Sequence, residues 1–565
     1  MLSAGSSKSL SPYRPLNRAT DEIRVLLLLP SPIKYTEIRC KLIHHTLAPV
    51  KDDFDTLSYV WGTSPSSISP KVSLDGHQVA VTRNLFAALQ ELRLKTKSRM
   101  LWIDALCINQ QDIEERSAQV ALMHKIYSRA STVLVWLGIA DLKDNPKALK
   151  QLRKLRTMQE SGQMLEPLLP PELVGFFQRL YWNRLWVIQE VLLARHARIL
   201  YASTAIDWKP VANILIGLPI PHDSGFGRTL KPARDIAHAA RLVANLPLLD
   251  ALILGRGRGV SDSRDYVYGV LAIVVGEKPQ VDYRKSQLDI FANIVSLTMR
   301  TCGKLDVLSA CKRAELGNRR LPSWIPDWQE TVAEGSYYLL NRRKELGVFC
   351  ASGNSNPTIT MSSDLRFLTL QGIHVDNIHL SEFGHAGGSE KLWNLWTLNS
   401  GRHNVYGSLE RQQRAFINTI GIGRYIHGTK DPLTASEWAM YWNRHLGWSS
   451  DGYGDTLPFA CTTDRELLFS IETKAKECLG WSLGTQFCFF ITRGGFMGRC
   501  PYPEYVMQGH QVWIFLGAHV PFIVRPIPNS NCFELIGECC KSIQPVFLYC
   551  MNLIQVHRRT RHYEG

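Results

Sequence analysis

The chain has 565 residues, with 65 Lys and Arg against 50 Asp and Glu, a formal charge of +15. Hydrophobic residues make up 45% and charged residues 20%, close to ordinary globular usage, which excludes a wholly disordered chain, a collagen and a coiled-coil rod. At roughly 150 residues per domain, the length predicts about three or four domain-sized units.

Residues 1–22 are Ser-rich and lack an apolar run of signal-peptide length, so a disordered segment is expected there. IRVLLLL from Ile23 and EIRCKLIHHTL from Glu37 read as short strands. DTLSYVWG is a buried strand ending at Gly62, where the backbone can turn sharply. KVSLDGHQVAV places apolar residues around Asp75-Gly76, a hairpin signal. Thr82 is an N-cap candidate for a helix whose Leu85, Phe86, Leu89 and Leu92 share one face. RMLWIDALCINQ is then a strand ending in polar Asn109 and Gln110. Asp112 can cap the next helix, with Ile113, Val120, Met123, Ile126, Tyr127 and Ala130 as its apolar stripe and Glu114 and Glu115 in the first turn, at the positive end of the dipole. STVLVWLG is another β-rich run. Strands alternating with helices predict a parallel sheet with crossover helices. Ligands in such sheets sit beyond the carboxyl ends of the strands, so Trp61, Gly62, Asp104 and Asn109 are expected near one edge.

PELVGFFQRLYWNRLWVIQEVLLAR from Pro171 is helical with a break expected near Trp182-Asn183, and ARILYAS follows as a strand. Helices are predicted in RDIAHAARLVANLPLLDALIL and QLDIFANIVSLTMRTC. ASGNSNPTIT is a loop entering the strand-rich RFLTLQGIHVDNIHL. From FCFFITRGGFMGRC to CFELIGECC, short apolar runs alternate with Gly and Pro turns, the pattern of a small antiparallel β unit.

The basic residues are dispersed. Their densest groups are Arg256-Gly257-Arg258, Lys312-Arg313, Arg342-Arg343-Lys344 and the tail His557 to His562. None lies in a helix-turn-helix, zinc finger or aromatic RNA-binding strand, so a solvated face is expected, and GRGRGV, which lacks a P-loop lysine, reads as a linker. No specific nucleic-acid motif is present. No apolar run approaches the roughly 18 residues of a membrane span. The thirteen cysteines are irregularly spaced with no recurring CxxC or HxxxH, so no metal site is expected. Cys107, in an apolar run, is expected as a small buried hydrophobe rather than a nucleophile. The pattern fits a reducing, cytoplasmic location.

TLSYVWG, LWIDALCINQQDIEERSAQVALMHKIYSRASTVLVWLG and RLWVIQEVLLAR together resemble the motifs of the HET (heterokaryon incompatibility) domain of filamentous fungi, in the family's order. SDSRDYVYGVLAI, VDYRKSQLDIFANIV and LPSWIPDW resemble segments that commonly follow it, and GHQVWIFLGAHVPFIVRP with FELIGE resembles the terminal β unit of such proteins. At that end His510 stands where the family tends to carry an acid, and the sequence diverges after Glu538. The implied organisation is a disordered segment over 1–22, a HET domain over 23–210, a helical region over 211–345, a mixed region over 346–480, a small β unit over 481–540 and a divergent basic tail over 541–565.

The resemblance implies a role in non-self recognition and programmed cell death. The HET domain is itself similar to the Toll/interleukin-receptor (TIR) domain, which implies a flavodoxin-like parallel sheet. Several TIR domains cleave NAD through a glutamate on a helix headed by a Trp. Trp186 to Glu190 resembles that element, which makes Glu190 the candidate catalytic carboxylate, with Trp61, Gly62, Asp104, Asn109, Arg184 and Trp186 as substrate-binding candidates. Nicotinamide leaves as a neutral amine, so a single carboxylate can stabilise the oxocarbenium-like ribose, and Arg184 could meet a phosphate oxygen. NAD would be a substrate, with no resident cofactor. Beside this stands a non-enzymatic reading, in which the same surface self-associates or recruits a protein partner and Glu190 simply pairs with Arg184, Arg195 or a backbone group. A third reading uses the positive charge for nucleic acid or membrane.

Overall fold

The structure is a computed structural model that describes residues 11–62, 68–138, 145–161, 171–201, 204–218, 225–241, 246–311, 321–330, 351–384, 487–501, 506–541 and 552–556, with a few short pieces between. The chain divides into two compact units, Met1–Ile290 and Phe291–Gly565. The first therefore takes in residues beyond 210 together with the HET-like segments.

In the first unit nine strands form one sheet: β1 (Glu22–Leu28), β2 (Arg39–Thr46), β3 (Asp55–Tyr59), β4 (Lys71–Leu74), β5 (His77–Ala80), β6 (Arg99–Trp102), β7 (Val133–Trp136), β8 (Ala197–Tyr201) and β9 (Thr204–Asp207). Their order is β5-β4-β2-β1-β6-β3-β7-β8-β9. The expected parallel pairing runs through the centre, where β6, β3, β7 and β8 pair parallel, and recurs once on the flank between β2 and β4. The sheet departs from the all-parallel expectation, because β1 pairs antiparallel with both β2 and β6, β4 with β5, and β8 with β9. For β1–β2 and β8–β9 the cause is connection length. A parallel return needs a dozen or more residues, and the β1–β2 and β8–β9 links are too short to supply one. The sheet is mixed.

Eleven helices are described: α1 (Arg83–Leu92), α2 (Asp104–Cys107), α3 (Ile113–Arg129), α4 (Asn145–Glu160), α5 (Pro171–Phe177), α6 (Val187–Leu192), α7 (Trp208–Gly217), α8 (Gly225–Arg241), α9 (Leu248–Gly255), α10 (Asp265–Tyr268) and α11 (Gln287–Cys302). The Thr82 side chain accepts from the Leu85 amide and caps α1, whose buried face is Leu85, Ala88, Leu89 and Leu92, with Phe86 only half-buried. Asp75 and Gly76 take φ of 49° and 84°, the left-handed pair that a tight hairpin turn between β4 and β5 needs. The 99–110 segment is shorter as a strand than expected: β6 stops at Trp102, and Asp104 opens the single turn of α2.

Asp112 caps α3 as expected, accepting from the amides of Glu114 and Glu115 at 3.0 Å each. Met123, Ile126, Tyr127 and Ala130 of the expected α3 stripe are buried, but its N-terminal part differs. Ile113 is 51% exposed, while Glu115 and Gln119 are buried. The reason is Arg24 on β1, itself buried, whose guanidinium holds Glu115 through two hydrogen bonds. Of the segment expected to be disordered, residues 11–21 carry defined contacts: the Arg14 carbonyl accepts from Arg24 and Asp21 pairs with Lys125 at 2.5 Å.

The second unit carries β10 (Ile359–Met361), β11 (Leu368–Gly384), β12 (Phe487–Thr492), β13 (Met497–Cys500), β14 (Gln511–Phe515), β15 (Phe522–Pro526), β16 (Cys532–Glu538), β17 (Cys540–Lys541) and β18 (Asn552–Val556). β14, β15, β16, β18 and β11 pair in sequence, and β11 pairs again with β14, so these five strands close into a barrel. Closure leaves no edge among them. The pairings are antiparallel except β16–β18. β11, 17 residues long, passes from β18 to β14 to β12 with irregular register near His374 and Ile378. β18 falls within the segment expected as a divergent tail, and its backbone is part of the ring. Lys312-Arg313, Arg342-Arg343-Lys344, His557 to His562 and most of 346–480 lie outside the described residues. Among the described residues no helix is long and apolar enough to cross a membrane.

Candidate functional site

A cleft of about 590 Å³ opens in the first unit at the carboxyl ends of β3 and β6. Adjacent parallel strands deliver its first wall. β3 leads into Val60, Trp61 and Gly62, and β6 leads into Asp104. The Trp61 indole N–H donates to Asp104 Oδ2 at 2.8 Å, and the Ala105 amide donates to Oδ1 at 2.8 Å. Burial pushes the Asp104 carboxyl up, against the pull of the Arg184 guanidinium and the indole hydrogen bond.

The second wall comes from the stretch between the 3₁₀ turn Leu180–Asn183 and α6. It places Asn183, Arg184 and Trp186 on the cleft. Arg184 donates to the Tyr59 carbonyl, which holds its guanidinium over the end of β3.

The third wall was not read from the sequence. Gly259, Val260, Ser261, Asp262, Asp265 and Tyr283 complete the lining, opposite Arg116 of α3. Asp265 accepts from the Tyr283 hydroxyl at 2.5 Å and from the Trp186 indole N–H at 3.2 Å. Burial first, with the nearby Asp262 charge, raises its carboxyl to about 6, although both hydrogen bonds oppose the shift. Arg116 lies 3.8 Å from the centre of the Tyr283 ring and reaches Asp262 at 3.2 Å. The signal was present in SDSRDYVYG and VDYRK, which belong to the site instead of lying apart from it.

This wall is held tightly to the second. The Gly259 amide donates to the Asn183 carbonyl at 2.7 Å, and the Leu185 amide donates to the Gly259 carbonyl at 3.1 Å. Arg258, in the run expected as a solvated linker, is buried and donates to the carbonyls of Trp182 and Pro232 at 2.8 Å each. The Trp182 carbonyl lies in a 3₁₀ turn, where a buried carbonyl left without an intrahelical partner needs a donor, and a guanidinium supplies several at once.

Glu190 is not on the lining. It is 1% exposed on α6, and its Oε2 accepts the Ser58 hydroxyl, which also meets the Tyr181 hydroxyl at 2.6 Å. Burial raises its carboxyl to about 7, with the Arg184 charge and the Ser58 hydrogen bond pulling it down. Arg184 thus connects the buried carboxylate to the cleft electrostatically. Arg195 donates to the Val50 carbonyl and not to Glu190.

Asn109 departs from the expected edge. Its amide donates to Glu115 Oε1 at 2.7 Å, and it lines a separate hollow of about 230 Å³ with Arg24 and Tyr13. Trp61, Gly62, Asp104, Arg184 and Trp186 therefore share one cleft, Glu190 lies off its lining, and Asn109 belongs elsewhere. Cys107 is buried and its thiol is pushed up to about 12, which leaves it unreactive at neutral pH. Among the described residues no group of three or more His, Cys, Asp and Glu side chains could hold a metal ion.

Residues 54–190 match the family model of the heterokaryon incompatibility protein (HET), and residues 473–545 match that of the Het-6 beta-barrel domain. Heterokaryon incompatibility protein 6, OR allele, of Neurospora crassa is 23% identical over a 647-residue alignment covering 93% of each chain. No solved structure matches the chain.

Proposed function

Because the chain belongs to the HET-domain (heterokaryon incompatibility) proteins, we propose that it acts in fungal non-self recognition leading to programmed cell death, and that its cleft is the site of a small-molecule step, the hydrolysis of NAD. The observation that carries this reading is the gathering of Trp61, Asp104, Arg184 and Trp186 on one cleft at the ends of parallel strands. Indole faces suit planar rings, and guanidinium groups suit phosphate. In the reaction the C1′–N bond to nicotinamide breaks with its electron pair leaving on the neutral base. Water then bonds to C1′ and gives up a proton, yielding ADP-ribose. Glu190, with its carboxyl near 7, is the carboxylate assigned to the developing positive charge. It acts on a ligand only if Ser58 releases it toward the Arg184 side.

A second reading is favoured by a specific observation: Glu190 is off the lining and already holds the Ser58 hydroxyl. In it the cleft binds a ligand or partner without chemistry, and the protein signals by self-association or recruitment in the cytoplasm.

The test is NAD consumption by the purified full-length chain and in cells expressing it, for wild type, Glu190→Gln and Asp104→Asn. Hydrolysis lost in Glu190→Gln with the fold retained supports the first reading. Growth arrest without NAD loss in all three proteins overturns it in favour of the second. NAD loss that persists in Glu190→Gln removes the assignment of Glu190 alone.

A further inference from the structure

Two tryptophans face the cleft, and each indole N–H is held by a carboxylate. Trp61 is held by Asp104 from within the HET match, at 2.8 Å. Trp186 is held by Asp265, 75 residues beyond the end of that match, at 3.2 Å. An indole N–H is a donor only, so its ring orientation is fixed by where its acceptor stands. Asp265 is in turn fixed from its other oxygen by the Tyr283 hydroxyl at 2.5 Å, and the Tyr283 ring is covered by Arg116 at 3.8 Å. The backbone beside it is pinned at Gly259 to Asn183 and Leu185. Close packing reinforces the pinning: a Cβ on Gly269 would come within 2.6 Å of Leu185 Cδ2, and one on Gly255 within 2.6 Å of Leu185 Cδ1.

We propose that the chain from Gly259 to Tyr283 completes the ligand site of the HET domain, and that Asp265 is the positioning residue that sets the Trp186 ring as a wall for the planar ring of a nucleotide ligand. This rests on the reading of the cleft as a ligand site. It requires an acceptor at position 265, not a charge. Asparagine can keep that acceptor toward Trp186 and turn its amino group toward the Tyr283 oxygen, whereas leucine, of similar bulk, offers none. Residues outside the HET match then decide affinity for a ligand inside it.

The experiment uses the full-length chain with NAD as probe, by calorimetry, for wild type, Asp265→Asn, Asp265→Leu, Trp186→Phe and the Trp186→Phe/Asp265→Leu double variant. Asp265→Asn is expected to hold the wild-type Kd within about twofold, and Asp265→Leu to weaken it about tenfold, the scale of one buried donor left without its acceptor. In the Trp186→Phe background, with no indole N–H to position, Asp265→Leu should add less than about twofold. Equal losses from Asp265→Leu in both backgrounds would overturn the proposal, since a merely structural residue acts without regard to the indole. The ligand-free proteins supply the separate readout. The Trp186 indole N–H resonance, assigned by its loss in Trp186→Phe, should shift upfield in Asp265→Leu and stay near its place in Asp265→Asn. An unmoved resonance in the folded Asp265→Leu protein overturns the positioning role whatever NAD does. Wild type that binds no NAD at millimolar concentration, with the resonance behaving as expected, sinks the nucleotide as ligand and with it the proposal's ligand half, leaving Asp265 only as a structural anchor.

Discussion

The guanidinium of Arg24 grips the carboxylate of Glu115 through two hydrogen bonds, of 2.6 and 2.9 Å, with both side chains withdrawn from water. Glu115 Oε1 also accepts the Asn109 amide, and Arg24 also donates to the Cys107 carbonyl at 3.2 Å. One buried pair therefore ties β1, the loop before α3 and α3 itself, and it fixes the path of the chain leaving Asp104. Removing one partner strands the other charge, which typically costs about 3–5 kcal/mol. Arg24→Met should lower the unfolding free energy of the first unit by that amount, read as a fall in its urea midpoint at unchanged slope. Exchanging both residues for apolar ones of matching volume should cost far less, and a double variant as unstable as Arg24→Met would show that the pair matters for more than charge balance.

The same helix offers a milder test. The Asp112 carboxylate satisfies two of the four amides that α3 leaves without intrahelical partners. Asp112→Ala should cost about 1 kcal/mol and Asp112→Ser much less, because serine also caps well. Equal losses in the two variants would mean that the carboxylate acts through something other than the cap.

Gly269 stands where Leu185 fills the space a side chain would need. Gly269→Ala should force Leu185 aside and cost about 1–3 kcal/mol, the usual range for overpacking. The disturbance should spread to Trp186, the next residue, so amide exchange from Asn183 to Trp186 should quicken beyond what global stability accounts for. Unchanged exchange there would show that Leu185 yields without moving the cleft wall.

Local chemistry was legible in the sequence, and contacts between distant segments were not. Thr82, Asp112 and Asp75-Gly76 act within three residues of themselves, so their roles follow from residue type. The central parallel strands followed from alternation of strand and helix. The antiparallel flanks did not, since an apolar strand run looks the same whichever way it pairs. Trp61 and Asp104 were placed together because both follow adjacent parallel strands, whereas Asn109 was misplaced because a single turn of helix after Trp102 carries the chain away from the strand end. Asp265 carries no local signal of its site role, and Arg258 reads as part of a solvated linker, for a different reason. The partners that tie them to the cleft's second wall lie 79 and 76 residues away, at Trp186 and Trp182, and nothing in the local pattern of either segment marks such a pairing.

Glu538, at the end of β16, is 0% exposed, and among the described residues neither of its carboxylate oxygens makes a well-formed hydrogen bond. Burial raises its carboxyl from 4.5 to about 8, with the Asp306 charge adding to the shift and the Ser309 hydroxyl opposing it. The folded state therefore holds a proton that the unfolded chain releases above about pH 4.5. Between those values the native state binds more protons, so stability falls as pH rises. The contribution is nil well below pH 4.5 and reaches its full cost, of the order of several kcal/mol, above about pH 8. Glu538→Gln keeps the shape and removes the titration. The variant should match wild type near pH 4 and surpass it increasingly toward pH 8. Glu190 and Asp265, raised to about 7 and about 6, slope the same way in the first unit, so the difference between variant and wild type at each pH is the quantity to follow. A difference that stays constant from pH 4 to 8 would mean that Glu538 titrates at the same pH in the folded and unfolded states, and would overturn its raised carboxyl.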